Sequence, residues 1–469
     1  MERKRFESLD AFRGIAILGM VLSGTIALKI LPAWMYHAQV PPPNHEYDPK
    51  IPGLTWVDLV FPFFLFAMGA AIPLALNRRL AAGISKLNMS LSVAKRFILM
   101  TFFAVVVEHL RPFQLNENPS AKIWFLAILG FVALGCAFGS WRKFTKNQET
   151  GANIVGALFI AATLFLQPYD GHGFSMARND IILLILANSF LFTALTWIFS
   201  RENEFARWVV VAFVFAFHLS AAVPGWASTV LIYPLPTGLV KVEFLEYLLI
   251  TLPGTVLGDM LVCWSTSSNS SSQQKLVWES QPLVPWTLIA HTLAWMIFLL
   301  ITVQGRWMIL STAGSFVFAG SGIFLLRNSH HQTQIFVKKV FLMGGTLVLL
   351  GLFLDAFQGG VHKDPVTLSY CFLTAGMSFL TFIACFLLFD VLRKGNMLKL
   401  LMASGQNPMV AYVAFQNLIL PVLCLTALDD LVFAHFSTPF LGFLKGVIDT
   451  ALVCAVAAFF TKFKYFWKT

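Results

Sequence analysis

Two histidines and a carboxylate stand close together in WMYHAQVPPPNHEYDPKIPGLTWVDLVFP, residues 34–62. His37 and His45 lie in a polar, proline-rich segment, and Asp58 follows a few residues into an apolar run. An imidazole, with an ordinary pKa of about 6.5, takes and returns a proton near neutral pH. A carboxylate beside it can orient the ring and raise its basicity, the role a third group plays in activated-nucleophile constellations. The bland alternative is a helix-end acid below a solvated loop.

Other ionisable residues also fall in apolar runs: Glu108, His109, His218, Asp259, His291, Asp355, Asp390 and Asp449. Charge inside a bilayer is expensive, so each is a functional candidate by default. Most have a local account. Asp390 ends a helix near Arg393, and Asp355 lies towards an outer helix end, with His362 beyond it. Glu108, His109 and Arg111 form a local ion-pair network. His218 and His291 read as structural histidines on apolar faces. In ESLDAFRG, Ser8 has the chemistry of an N-cap, and Asp10 and Arg13 share a helix face and can pair. Either this is an anchor with a surface ion pair, or a cation and a helix start are placed for a phosphate-rich ligand. LPGTVLGDML (252–261) and SGQNPMVAY (404–412) put Gly, Pro and polar residues in apolar context. Both read as packing and capping, or as interrupted helices lining a cavity.

The elements that must position these residues are membrane spans. Of 469 residues, 57% are hydrophobic and 12% charged, against about 25% charged in soluble domains. Apolar runs of about 20 residues recur along the chain, the length a helix needs to cross a bilayer. The runs are continuous, not alternating, which excludes a transmembrane barrel. The expected fold class is all-α, a polytopic transmembrane helical bundle of 11 to 14 spans. The range is set by a short run at 153–167 and by a pair, 286–304 and 306–326, with only a Gly305-Arg306 corner between them. The start imitates a signal peptide, but the Asp10 and Arg13 pair and the length of the run favour a retained first helix.

The net charge of +10 comes from short Lys/Arg clusters between apolar runs, so it reports topology and excludes nucleic acid as a partner. Arg3 to Arg5, Arg78-Arg79, Lys95-Arg96, Arg142-Lys143, Lys275, Lys338-Lys339, Arg393-Lys394 and Lys462 to Lys468 fall on one side if the N-terminus is cytoplasmic. Both termini are therefore expected inside, and loop 32–54 outside. The Ser/Asn-rich stretch 265–285 reads as a flexible cytoplasmic linker between helices 1–264 and 286–469 of a single membrane unit. The six cysteines sit within or at the ends of apolar runs, without zinc spacing or a disulfide framework.

Taken together, RFESLDAFRGIAILGMVL, the histidine-bearing loop and GLTWVDLVFPFFLFAMGAAIPLAL resemble the heparan-α-glucosaminide N-acetyltransferase family of transmembrane acyltransferases, in a bacterial branch. The likeness rests on S-x-D-x-x-R-G (Ser8, Asp10, Arg13, Gly14) combined with D-L-V-F-P-F-F-L-F-x-x-G (Asp58 to Gly69). Gly405, Asn407 and Tyr412 resemble the family's late motif; the middle of the chain matches in hydropathy only. The family's Arg-Ile-x-Gly-Val-Leu-Gln-Arg element is replaced by KIWFLAILGFVA, and its His-Ala-x-Trp-Asn-Gly-Leu-Thr loop by a longer insert.

The resemblance implies acetyl-CoA as a cytoplasmic co-substrate, no metal, and an amino sugar or glycan as acceptor outside. It implies a loop histidine as base or acetyl carrier. His37 matches the family's His-Ala pair, while His45 lies closer to Gly53-Leu54-Thr55; Asp58 is the orienter. Asp10, Arg13, Arg78, Arg79, Asn407 and Tyr412 are expected near the nucleotide end of the donor. Tyr36, Glu46, Tyr47, Asp48 and Trp56 are expected at the sugar. The bilayer of a bacterial cytoplasmic membrane and a second copy in a homodimer complete the expected partners. Two other classes compete. A secondary transporter shares the topology but predicts interrupted helices in both halves, and LPGTVLGDML occurs once. A non-enzymatic subunit of an envelope-glycan assembly requires neither CoA nor the histidines.

Overall fold

The computed structural model describes residues 5–141, 144–233, 238–267, 283–429 and 438–467. Arg3, Lys4, Arg142, Lys143, Lys275, Lys468 and the centre of the Ser/Asn-rich linker lie outside the described residues. The main helices are α1 Glu7–Thr25, α2 Trp56–Ala81, α3 Lys86–Leu110, α4 Ala121–Phe138, α5 Lys146–Leu166, α6 Ile181–Ser200, α7 Glu204–Ala221, α8 Leu248–Ser267, α9 Leu283–Gln304, α10 Met308–Leu325, α11 Gln332–Leu354, α12 Leu368–Cys385, α13 Lys399–Gln406, α14 Pro408–Ala414 and α15 Pro439–Lys462. π-helical turns extend α12 through Phe386–Val391 and α14 through Phe415–Ile419. Among the described residues thirteen helices are long and apolar enough to cross a membrane. The chain is an integral membrane protein of the all-α polytopic class. The short run at 153–167 belongs to the longer α5, which ends at Leu166, and α9 and α10 are separate helices whose corner is turned by Arg306 at φ 58°.

Burial sorts the helices. Every residue of α12 from Leu368 to Cys385 is buried, so α12 is the axis of the bundle, with α2, α8 and α11 against it. Peripheral α7 and α10 expose large apolar side chains such as Phe205, Phe213, Ile309 and Val317. On a soluble protein that would be a sticky patch; on a membrane span it is the surface lipid covers.

LPGTVLGDML is not an interrupted helix. It lies within continuous α8, Pro253 included, and its glycines allow close approach to α2. A Cβ on Gly254 would strike the backbone of Phe66 and Ala70, one on Gly258 the Ala70 carbonyl, and one on Gly69 the Thr251 carbonyl. Small residues at such crossings let two backbones meet in a membrane. Asp259 at the end of that segment pairs with Arg207 and accepts from Trp197 Nε1 at 3.2 Å.

Helix α1 begins differently from the expectation. Its N-cap is Phe6, not Ser8. Asp390, from the turn that ends the α12 span, accepts from Glu7 N at 3.2 Å and from the Ser8 hydroxyl. The free N–H groups of α1 are thus met by a carboxylate from the far end of the chain. α13 crosses α1 closely, because a Cβ on Gly405 would strike the Asp10 carbonyl and one on Gly14 the Leu401 carbonyl. At the same end, Gly139–Trp141 and Tyr465–Trp467 pair as a small antiparallel sheet.

Candidate active site

The loop between α1 and α2 is folded on itself. Ile26, Leu31, Met35 and Tyr36 form a small buried cluster, with Trp56 packed against it. Tyr36 donates its hydroxyl proton to the Ala27 carbonyl at 2.6 Å and accepts from Leu31 N at 3.1 Å. With 5% of its surface exposed, it holds the loop together and has no face for a sugar. His45 is pinned as well. Its Nε2 accepts from Lys29 N at 3.0 Å, its ring stands edge-on to Tyr36, and its backbone is left-handed at φ 55°.

His37 faces the other way. Its Nδ1 lies 2.7 Å from Asp58 Oδ1. Asp58 is set by its position at the third residue of α2, where Oδ2 accepts from Thr55 N at 3.0 Å, the Thr55 hydroxyl at 3.1 Å and Ala38 N at 3.2 Å. Such a carboxylate closes a helix N-terminus. Here one oxygen caps the helix and the other takes the imidazole. Asp58 is buried, while the His37 side chain is 38% exposed. A buried carboxylate on Nδ1–H fixes the tautomer and leaves Nε2 with its lone pair outward, the geometry of a general base or nucleophile.

A second loop, between α11 and α12, completes this end. Gln39 clasps Asp364 twice, accepting from its N–H at 3.0 Å and donating to its carbonyl at 2.5 Å. Tyr47 donates to the same carbonyl at 2.6 Å, and Gly53 N to Val361 O at 2.9 Å. Arg306 holds Asp355 through two bonds of 2.8 and 3.0 Å. This brings Lys363 Nζ to 3.3 Å from His37 Nδ1 and 3.4 Å from Nε2. Burial lowers the Lys363 pKa below the ordinary lysine value, with Asp58 and Asp364 opposing the shift. Among the other expected sugar contacts, Glu46 and Tyr47 are exposed, Asp48 turns back to accept from Lys50 N at 2.8 Å, and Trp56 is half-buried.

At the opposite end a cavity of about 570 Å³ lies between α1, α2, α3, α6 and the α13–α14 junction. Arg13, Arg79 and Arg96 give it a cationic mouth, and Phe64, Met68, Leu186 and Met409 an apolar depth. At about 1.5 Å of rise per residue, α2 carries the cavity wall about 22 Å from Arg79 to Phe64, and Asp58 lies about 9 Å further along the axis.

The structure divides the expected cofactor residues. Arg13 and Arg79 line the cavity, while Asp10 is buried behind it, paired with Arg5 and accepting from Gln406 Nε2 at 3.4 Å. Arg78 is exposed and off the wall. Asn407 donates to Tyr465 O at 2.8 Å and so ties down the C-terminal strand. Tyr412 donates to Asp180 Oδ2 at 2.8 Å, and Arg111 bridges Asp180 and Glu108. Neither Asn407 nor Tyr412 lines the cavity. Three residues at the two ends were not singled out from the sequence: Lys363, Arg96 and Gln406. In the sequence Arg96 reads only as a topological charge. Lys363 carried a signal, as a lysine in a short loop on the side that the Lys/Arg bias leaves poor.

Comparison with known proteins finds partial likeness. Human (Homo sapiens) heparan-alpha-glucosaminide N-acetyltransferase is 34% identical over 104 residues, 22% of this chain. That stretch spans 14% of the human protein's length. A family model described as "Domain of unknown function (DUF5009)" matches residues 5–261, more than half of the chain and all of α1, α2 and the loop between them. The chain belongs to the DUF5009 family.

Proposed function

We propose that this protein is a transmembrane acyltransferase. It takes an acetyl group from acetyl-CoA on the cytoplasmic side and transfers it to an amino sugar or glycan on the outer side of a bacterial cytoplasmic membrane. The observation that carries this reading is the disposition of α2. One end bears the His37–Asp58 pair, and the other lines a cavity with three arginines at its mouth. Arginines suit the phosphates of CoA, and the apolar depth suits a thin acyl-bearing arm directed towards Asp58. His37 Nε2 then serves as general base for the acceptor or as acetyl carrier. The likeness to an N-acetyltransferase over part of the chain supports the same class.

The test is transfer of label from acetyl-CoA to glucosamine and to heparan-type oligosaccharide ends by the purified protein, with thermal stabilisation by CoA measured alongside. Binding to the folded state raises the melting temperature by mass action. Transfer with CoA stabilisation supports the reading; absence of both overturns it.

A further inference from the structure

We infer that Lys363 is a further catalytic residue of this transfer, its ammonium binding the acetyl carbonyl oxygen and holding the oxyanion that forms there. The inference rests on the acyltransferase reading above. Its basis is where Lys363 stands. The ammonium lies 3.3 and 3.4 Å from the two ring nitrogens of His37, and among the described residues it forms no ion pair. A lysine held against an imidazole with no carboxylate in contact is poorly explained as a structural element. Because Asp58 takes Nδ1, the free lone pair of the ring is on Nε2, and the Lys363 ammonium stands nearly equidistant from the two ring nitrogens. Whether Nε2 removes the acceptor's proton or itself attacks, the carbonyl carbon must come within about 3–3.5 Å of the attacking atom. A donor already beside Nε2 then lies within reach of the carbonyl oxygen.

Two hydroxyl donors beside the pair are engaged. The Tyr370 hydroxyl donates to the Asp58 carbonyl at 2.8 Å, and the Thr55 hydroxyl lies between Tyr36 O and Asp58 Oδ2. The clasp of Gln39 on Asp364 and the Arg306–Asp355 pair hold the Lys363 loop in place, so the donor needs little reorganisation when charge develops. In the direct route, the acceptor nitrogen attacks the thioester carbon and forms a C–N bond as its proton passes to His37 Nε2. The carbonyl π pair moves to oxygen, against Lys363. Collapse of that oxyanion breaks the C–S bond, and the CoA thiolate leaves and takes up the proton.

The test uses the full chain with Lys363→Met and Lys363→Arg. Removing one oxyanion donor lowers kcat by about 10²–10³, so Lys363→Met is expected to lose that much kcat, with the KM for acetyl-CoA and the CoA thermal shift unchanged. Lys363→Arg keeps a cation that does not titrate. The alkaline limb of the kcat profile, where Lys363 loses its proton, is expected to move to higher pH in that variant. The titratable groups facing Lys363 are His37 from the loop before α2, Asp58 from α2 and Asp364 beside it, and Asp364 in turn bears on Glu246 and Tyr47. None of them is altered in the variant. If Lys363→Met keeps kcat within threefold of an active wild type, the lysine is not the oxyanion donor. If Lys363→Met does not fold, the arginine variant decides, and an unmoved alkaline limb overturns the inference. Wild type without transfer or CoA stabilisation overturns the acyltransferase reading, and this inference falls with it.

Discussion

Asp58 Oδ1 lies 2.7 Å from His37 Nδ1 while Asp58 Oδ2 closes the first turn of its own helix. One buried side chain therefore does two jobs that mutation can separate. Asp58→Asn keeps the size but no longer selects the Nδ1–H tautomer, and is expected to lower kcat by about 10³–10⁴. Thr55→Val removes the hydroxyl that donates to Tyr36 O and Asp58 Oδ2 at the start of α2 and leaves the His37 contact. It is expected to cost about 1 kcal/mol of stability with little change in kcat. Thermal unfolding and initial rates on both variants check the split; equal loss of kcat in the two would mean that Asp58 acts only through the cap.

The two loop histidines should part in the same way. His37→Ala is expected to abolish transfer and keep CoA-induced stabilisation. His45→Ala removes the acceptor of the Lys29 N–H and the edge contact with Tyr36, at a cost of about 1–2 kcal/mol. Its transfer rate per folded molecule should stay within a few-fold of wild type. Loss of turnover in His45→Ala at full folding would exchange the roles.

Arg79→Gln and Arg96→Gln each remove one cation from the cavity mouth. A charge-assisted contact is worth about 1.5 kcal/mol or more, roughly tenfold in affinity. Each variant is expected to raise the KM for acetyl-CoA about tenfold at unchanged kcat. Arg78→Gln, exposed and off the wall, serves as the control. A control that shifts KM as much would show that net charge, not the cavity, governs donor binding.

Gly254→Val and Gly258→Val force side chains into the α2 backbone. Overpacking typically costs about 1–3 kcal/mol, and here the opposing atoms are main chain, which cannot turn aside. Both variants should unfold at lower temperature in detergent and reach the membrane in lower yield. Gly320→Val, where a Cβ would meet nothing within 4 Å, should behave as wild type.

Much of the candidate site was legible because it is local or nearly so. Asp58 stands three residues after Thr55, a spacing that caps a helix, and His37 precedes it in the adjoining loop. LPGTVLGDML and Tyr36 are different. In both, a feature that reads as a site is absorbed by packing: glycines into a helix crossing, and a tyrosine into the small core of its loop.

The membrane class, the number of spans to within a few and the candidacy of a loop imidazole and a helix-end carboxylate belong to the sequence alone. They follow from apolar content summed along the chain and from spacing within one segment. The tertiary structure decided what joins distant segments. It turned His37 towards Asp58 and pinned His45 to Lys29, it brought Lys363 across from the loop before α12, and it set Asp390 on the start of α1. It gathered Arg13, Arg79 and Arg96 from three helices around one cavity. The physical reason is that hydropathy tells a helix to be buried without naming its neighbour. The neighbour is chosen by close backbone approach at glycines such as Gly254 and Gly405 and by the pairing of buried polar groups, and those choices exist only once the helices have packed.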